Sequence, residues 1–466
     1  MTFTTLAIVV AAFSISTCLG WLLSAVLIPF QLTRRLVWAV APGIGLGICS
    51  MIFLVFRRPL FTAEFMALIV LAILVWRRKN SSGSRRNFLQ PTALALVLCG
   101  ALGFAMAGSM IRMDRMPHGG WDAWAIWNTH ARVLFRDGPN WERDLPYTFH
   151  PDYPLLVPSA TARVWRYLGR EIPEAGAAVG MIFAISTVAV LAAVLLELTG
   201  ASNAMLMALM LISTPSYLEN AASQYADVPL SFYILSTIGL IVLDAERNFD
   251  HRRMLILAGF TAGCAAWTKN EGFLFIVGVC AALLIPVIFR REKISHRVIP
   301  FVGGLLPPMA VILFFKLGVP TNDLIKNQTV AAAIHQALDP DRYTLILKYF
   351  VETFWSFGGW SVTPLIPLFL YVICVGINRA VLRSSAWLAC LFIVGIVLSG
   401  YFFVYVATPI PLKNHLESSL DRLIIHLWPS LLLLLGLLIK SRQNPSHSAL
   451  EGTTVGDSGY QPHQIT

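Results

Sequence analysis

Charged side chains are scarce in this chain of 466 residues: only 13% are Asp, Glu, Lys or Arg, whereas 56% are hydrophobic. A soluble globular domain averages about a quarter charged residues, so this low charged fraction excludes a soluble globular domain. Many apolar runs reach the length of about 20 residues that a transmembrane helix needs. They lack the regular alternation of an outer-membrane barrel strand. The composition therefore predicts an all-α integral membrane protein.

Cysteine is also sparse, and the seven that are present lie inside apolar runs. No CxxC spacing or disulfide framework is visible, so they are expected to be small core residues. The first apolar run follows no basic residue and no convincing cleavage site ends it, which predicts a retained helix. The net charge of +10 is concentrated in short loops between the runs, and it does not indicate nucleic-acid binding.

Thirteen apolar runs are predicted to be transmembrane helices. Short loops rich in Lys and Arg are expected on the cytoplasmic side, which places the N-terminus outside and the C-terminus inside. Three regions follow: N-terminal helices with a basic loop (1–90), a transmembrane core (91–440) with a long outer loop (111–175), and a disordered cytoplasmic tail (441–466). The runs are 4–30, 36–56, 60–76, 91–110, 176–196, 203–216, 228–243, 254–268, 272–289, 298–316, 361–377, 385–408 and 423–439.

With this topology the polar groups collect on the outer side, first in the stretch GGWDAWAIW at 119–127. At 3.6 residues per turn Trp121, Trp124 and Trp127 fall along one stripe, which is expected to face the lipid headgroups. Asp122 points away from that stripe. Two roles stay open for it: an N-cap of the helix, which Asp favours, and a functional carboxylate.

The same loop contains the proline-rich stretch HPDYPLL at 150–156. Proline restricts its own φ and the residue before it, which predicts a stiff, extended segment. Such a segment can hold His150, Asp152 and Tyr153 at fixed positions over the membrane. Solvated side chains on a rigid loop are the alternative.

Ionisable residues also stand at the mouths of later spans. Asp227, in YADVPLSFY, begins one span either as a helix cap or as part of a polar site. Lys269 and Glu271 lie in WTKNEG between two apolar runs with almost no loop, so they are expected to face water, each other or a ligand. A lysine there suits a phosphate. Arg422 at the last run suits bidentate phosphate binding or a snorkelling helix end.

Together these stretches resemble the GT-C glycosyltransferases, which include protein O-mannosyltransferases, lipid A aminoarabinose transferases and RgtA-like transferases. Asp122 in GGWDAWAIW is similar to the acidic residue of the family's first large outer loop, and HPDYPLL resembles the proline-rich element that follows. YADVPLSFY resembles a later Asp motif, GCAAWTKNEG a Thr-Lys turn that a glycine closes, and Arg422 a basic residue near the last spans. The similarity covers roughly 91–430, so the first three spans are an N-terminal addition.

The resemblance implies a glycosyltransferase that moves a hexosyl or pentosyl group from a polyprenyl-phosphate-linked donor to an acceptor hydroxyl with inversion. The acceptor is a lipid, glycan or protein on the non-cytoplasmic face, and the membrane is the plasma membrane if the source is bacterial. Asp122 is then the general base, and Lys269 and Arg422 bind phosphate. Asp227 orients the acceptor or holds a divalent cation (Mg or Mn), although no ligand spacing requires a metal. Further candidate binding residues are His150, Asp152, Tyr153, Glu271 and Trp124.

Two other classes of protein remain open at this stage. A transporter or flippase for a lipid-linked or anionic substrate would also use cations and broken helices. The absence of visible repeats and the collection of polar residues on one side count against it. A non-catalytic membrane subunit would use the acidic residues only as helix caps.

Overall fold

The computed structural model describes residues 2–29, 32, 34–56, 60–78, 92–247, 251–289, 291, 293–319 and 330–439. Within these residues the chain forms nineteen α-helices, a few short 3-10 and π turns, and no strand. The all-α polytopic fold predicted from composition is confirmed. The predicted tail at 441–466 and most of the basic loop at 77–86 lie outside the described residues.

Seven helices precede or belong to the long outer segment: α1 (Phe3–Leu27), α2 (Arg34–Val55), α3 (Leu60–Arg77), α4 (Thr92–Arg115), α5 (Asn128–Arg136), α6 (Trp141–Asp144) and α7 (Leu156–Leu168). Twelve follow it: α8 (Glu174–Leu198), α9 (Ala201–Ile212), α10 (Pro215–Ala222), α11 (Asp227–Arg247), α12 (His251–Thr268), α13 (Glu271–Phe289), α14 (Ile294–Gly318), α15 (Val330–Ala337), α16 (Pro340–Ser356), α17 (Leu365–Val375), α18 (Ser385–Ala407) and α19 (Leu412–Leu438).

Each of the thirteen predicted runs lies on a helix. Among the described residues, ten helices are long and apolar enough to cross a membrane: α1–α4, α8, α11, α13, α14, α18 and α19. The runs at 203–216 and 361–377 fall on α9 and α17, which are shorter apolar helices. The run at 254–268 falls on α12, whose first turn carries His251 and two arginines.

Contacts at the helix ends locate the start of α1 and the end of α19. At one end, here called the loop end, residues 116–173 connect α4 to α8, and Arg170 of this segment donates to Thr5 Oγ1 at the start of α1 (2.8 Å). At the opposite end the Asn378 amide donates to Leu438 O near the end of α19 (2.8 Å). The start of α1 and the end of α19 therefore lie at opposite ends, as the sequence predicts.

Glycines bring α12 and α14 into close contact. A Cβ added to Gly259 would lie 1.9 Å from the Phe301 oxygen, and one added to Gly304 would lie 1.8 Å from the Ile256 oxygen. Only a hydrogen fits at these positions, and small residues are what bring membrane helices into backbone contact. The close pairing fixes the loop end of α12 and the turn that follows it.

The three N-terminal helices are joined to the outer segment by a buried ion pair. Arg163 on α7 donates to both oxygens of Glu64 on α3 (2.6 and 2.9 Å) and to Ser16 Oγ on α1 (3.1 Å). Both charged side chains are almost fully buried. Because a buried charge is tolerated only with such partners, the pair holds α7 against α1 and α3.

We predict that Glu64→Ala strongly destabilises the protein. The change leaves the Arg163 guanidinium buried without its carboxylate, which typically costs about 3–5 kcal/mol. Thermal unfolding of the purified protein in detergent measures the effect. Glu352→Ala is the matched control, because Glu352 is exposed and pairs with Lys348 at 3.9 Å, a contact of little net stability. Equal losses in the two variants would contradict the prediction.

Candidate functional site

Two glycines bring the start of the outer segment against the connector that leads into α11. Gly119 has a φ of 76°, a left-handed conformation that glycine adopts at no steric cost. A Cβ on Gly119 would lie 2.5 Å from the Ser223 oxygen, and the Gly120 amide donates to that same oxygen (3.0 Å). Asp122 therefore begins its helix beside residues 223–227, although it is about a hundred residues away in sequence.

The prediction that the three tryptophans form one stripe is wrong. Residues 123–127 form a π turn, which holds more residues than an α turn and so rotates the side chains that follow it. Trp121 and Trp124 are 57% exposed, whereas Trp127 is buried and stacks on Tyr153 with 5.6 Å between ring centres. The Asp122 side chain makes no capping hydrogen bond, so the N-cap role left open for it is not the one the structure gives it.

The centre of the site is the carboxylate of Asp227, at the first turn of α11, which has no exposed surface. Its Oδ1 accepts from Lys269 Nζ (2.9 Å) and lies 2.7 Å from His426 Nε2. Its Oδ2 accepts from Arg422 Nε (3.1 Å) and Nη2 (2.8 Å). Two different parts of the chain, α19 and the turn that holds Lys269, thus converge on one buried carboxylate at the loop end.

Arg422 joins this buried carboxylate to the partly exposed one. Its Nη2 lies 2.6 Å from Asp122 Oδ2 as well as 2.8 Å from Asp227 Oδ2. The guanidinium also stands over the Tyr225 ring at 4.8 Å, a cation–π contact that restricts its plane. Asp122 is 16% exposed and Arg422 23% exposed. The mouth of the site is therefore a carboxylate and a guanidinium side by side.

Lys269 lies in the tight turn between α12 and α13, where its Nζ also contacts Glu271 Oε1 (3.1 Å). Burial alone would lower the pKa of Lys269, but the charges of Asp227 and Glu271 outweigh it and raise that pKa above its ordinary value. The ammonium therefore stays charged. Gly272 closes the turn as expected, because a Cβ there would lie 2.3 Å from the Ala266 nitrogen.

The proline-rich stretch at 150–156 packs beside this turn, but it is not extended as predicted. His150 has a φ of 48° and its oxygen accepts from the Tyr153 amide (3.0 Å), so the chain reverses there. Asp152 Oδ2 accepts from Asn270 Nδ2 (3.0 Å), next to Lys269. The His150 ring stacks on Tyr153 at 4.6 Å. A local left-handed residue, which proline spacing does not reveal, decides this shape.

Two buried side chains of the site were not identified from the sequence. His426 lies inside the apolar stretch of α19, with Nε2 on Asp227 and Nδ1 3.1 Å from the Tyr401 hydroxyl of α18. Because the carboxylate can only accept, Nε2 carries the hydrogen and Nδ1 accepts from Tyr401. An ionisable residue inside a membrane span is a signal of a site, and this rule applied to His426 would have found it.

The sequence-predicted residues fall into three groups. Asp122, Asp227, Lys269, Glu271 and Arg422 form one continuous network of ion pairs. Asp152 contacts Asn270, the neighbour of Lys269 in sequence, and Tyr153 and His150 stack on each other. Trp124 is exposed on the surface of the outer segment. A carboxylate next to paired cations at an accessible mouth is suited to proton transfer beside a bound anion.

The side chains around Asp227 leave few ligand positions for a divalent cation. Among the described residues no three His, Cys, Asp or Glu side chains are grouped as a metal site requires. Around Asp227 the places of a metal are taken by Lys269, Arg422 and His426. The expectation of Mg or Mn stays a prediction.

Residues 159–321 match the sequence profile of the dolichyl-phosphate-mannose-protein mannosyltransferase family, a family of the GT-C superfamily. The matched segment contains Asp227, Lys269 and Glu271, and it excludes Asp122 and Arg422. A comparison with curated proteins finds no match. The profile confirms the resemblance to GT-C enzymes and supports a multi-pass membrane glycosyltransferase that uses a polyprenyl-phosphate-linked donor.

We predict that Asp227→Asn destabilises the protein far more than Asp122→Asn does. The first change leaves the buried Lys269 and the partly exposed Arg422 without their shared carboxylate, and breaking a buried pair typically costs about 3–5 kcal/mol. The second removes a partly exposed partner, worth at most about 1 kcal/mol. Thermal unfolding of both variants in detergent tests the order, and a reversed order would show that Asp227 does not hold the cations together.

Proposed function

We propose that this protein transfers a glycosyl group from a polyprenyl-phosphate-linked donor to an acceptor hydroxyl at the loop end of the bundle, with inversion. The observation that carries the proposal is the contact of the partly exposed Asp122 carboxylate with Arg422, which shares the Asp227 carboxylate with Lys269. The family match at 159–321 supports the same class of reaction. A transporter would need its site near the middle of the spans, whereas Asp227 and Lys269 lie at span ends.

In the proposed reaction Asp122 is the general base. The acceptor oxygen attacks C1 of the sugar, its proton passes to an Asp122 oxygen, and the bond from C1 to the phosphate oxygen breaks. The polyprenyl phosphate leaves with the electron pair. Base and leaving group lie on opposite faces of the sugar, so no covalent enzyme intermediate is needed. Proton transfer to a positioned carboxylate typically contributes about 10²–10⁴-fold to the rate.

Arg422 and Lys269 are proposed to bind the phosphate of the donor. Negative charge grows on this group as the C1–O bond breaks, and fixed cations stabilise that charge most in surroundings from which water is excluded. Asp227 has no exposed surface, so we assign it the positioning of the two cations in preference to contact with the acceptor. Glu271 helps to hold Lys269 in place.

The isoprenoid chain of the donor is assigned to an apolar groove between α16 and α18. The groove is a cavity of about 260 Å³, lined by Phe350, Phe354, Leu398, Ser399, Phe402 and Phe403. Tyr401, the neighbour of Phe402 in α18, reaches Asp227 through His426. A lipid chain in the groove would lie along the helix that carries Tyr401, and the exposed Trp121 and Trp124 would lie at headgroup depth.

The family description makes mannose the first sugar to test, and a protein, glycan or lipid remains the acceptor class. A panel of purified polyprenyl-phosphate-linked sugars, each radiolabelled, identifies the donor that is consumed.

We predict that Asp122→Asn lowers turnover of that donor by about 10²–10⁴-fold, because the proton of the acceptor loses its base. Donor binding should persist, since Arg422 and Lys269 remain. Glu219→Gln is the control: it removes one charge at the same end of the bundle, where Glu219 pairs with Arg112 (3.0 Å), and should leave turnover unchanged. Normal turnover by Asp122→Asn would remove Asp122 from the mechanism.

The loop end is proposed to face the non-cytoplasmic side, because short basic loops lie at the opposite end. We predict that a membrane-impermeant maleimide labels Asn140→Cys, but not Arg379→Cys, in right-side-out vesicles. Asn140 is an exposed residue of the outer segment and Arg379 an exposed residue at the opposite end. The background replaces the exposed native cysteines with alanine: Cys18, Cys99 and Cys374. The reverse labelling pattern would invert the proposed orientation.

A further inference from the structure

The contact between Asp122 and Arg422 conflicts with the roles proposed for both side chains, a base and a phosphate-binding group. A carboxylate that acts as a base must offer its oxygen to the acceptor proton, yet Asp122 Oδ2 lies 2.6 Å from Arg422 Nη2. A guanidinium that binds phosphate must offer its N–H groups to the donor, yet Nε and Nη2 of Arg422 already contact carboxylates. The two groups neutralise each other in the absence of substrate.

The two carboxylates on Arg422 differ in how readily they can leave it. Asp227 is completely buried and shares Lys269 and His426, so removing it would strand several charges. Asp122 is partly exposed, and among the described ion pairs its partner is Arg422. Ion pairs that reach solvent are weak and exchange partners easily. An entering anion would therefore displace Asp122 and leave Asp227 in place.

The position of Asp122 in the chain suits a side-chain movement on a fixed backbone. The preceding glycines are pinned to residues 223–225 by the Gly120 amide and by the close approach of Gly120 to the Tyr225 hydroxyl. The helix that follows begins with a π turn, and such turns often lie at functional sites. Rotation of the Asp122 side chain alone would separate its carboxylate from Arg422.

We propose that Asp122 occupies, in the substrate-free protein, the place on Arg422 that the phosphate of the donor takes. The inference rests on the function proposed above and adds an order to it. The phosphate replaces the carboxylate on Arg422, and the released carboxylate turns toward the acceptor hydroxyl as the base. No base is released until a donor is bound, so the donor binds before the acceptor is activated.

The chemistry of the two partners permits this exchange. The phosphodiester of the donor carries one negative charge, as the carboxylate does, and its two unesterified oxygens can form bidentate, charge-assisted hydrogen bonds with arginine. Because Asp122 is partly exposed, its contact with Arg422 should weaken the affinity for the phosphate by only about two- to fivefold. This loss of affinity is small enough for the donor to displace Asp122 and large enough to be measured.

The test is the affinity of the purified protein in nanodiscs for undecaprenyl phosphate, which needs neither the sugar nor the acceptor. Asp122→Asn keeps the size of the side chain and removes its charge, so it should bind the lipid phosphate about two- to fivefold more tightly than the unaltered protein. Glu219→Gln removes the same charge near the site without touching Arg422. It should leave the affinity unchanged and so exclude a general effect of net charge.

Arg422→Ala separates failure of this inference from failure of the proposed function. If Arg422→Ala weakens binding while Asp122→Asn leaves it unchanged or weaker, the displacement is wrong but the phosphate site stands. If Arg422→Ala has no effect on binding, the phosphate site itself is wrong. In the double variant that combines Asp122→Asn with Arg422→Ala, the gain in affinity from Asp122→Asn should vanish, because the two side chains act through one contact. A gain that persists without Arg422 would overturn the proposed displacement.

Discussion

The site depends on a single buried carboxylate. Asp227 has no access to solvent and is surrounded by Lys269, Arg422 and His426, so its charge is stable only while these partners stay in place. They come from α19 and from the turn between α12 and α13, whereas Asp227 begins α11. The ion network therefore fixes how these elements meet at the loop end, and the more exposed side chains take their positions from it.

The same physical rule joins the N-terminal helices to the site. Glu64 on α3 and Arg163 on α7 form a second buried pair at the loop end, and neither can be withdrawn without leaving a charge in apolar surroundings. The outer segment that carries Asp122 and Asp152 is thus held by α1 and α3 as well as by the core. The three helices outside the family resemblance are structural supports of α7.

Rules that are local in sequence predicted much of the fold and the candidate site. Apolarity predicted a helix for each of the thirteen runs, and among the described residues ten of these helices are long and apolar enough to cross a membrane. Ionisable residues beside apolar runs indicated Asp122, Asp227, Lys269 and Arg422. The same rules failed where a small change of backbone geometry decides the result. A π turn moves Trp127 into the core, and a left-handed His150 turns the proline-rich stretch back on itself. His426 was missed because only ionisable residues at span ends were considered, and it lies inside the apolar stretch of α19.

The sequence by itself determined an all-helical membrane protein with alternating spans, and hence that groups far apart in the chain share one end. These properties follow from the thickness and apolarity of a bilayer, which act on each segment separately. Only the tertiary structure decided that Asp227 is buried and Asp122 accessible, and that Arg422 contacts both. Arg422 and Asp227 are 195 residues apart, and such a contact depends on which helices are neighbours, a property that no single segment contains.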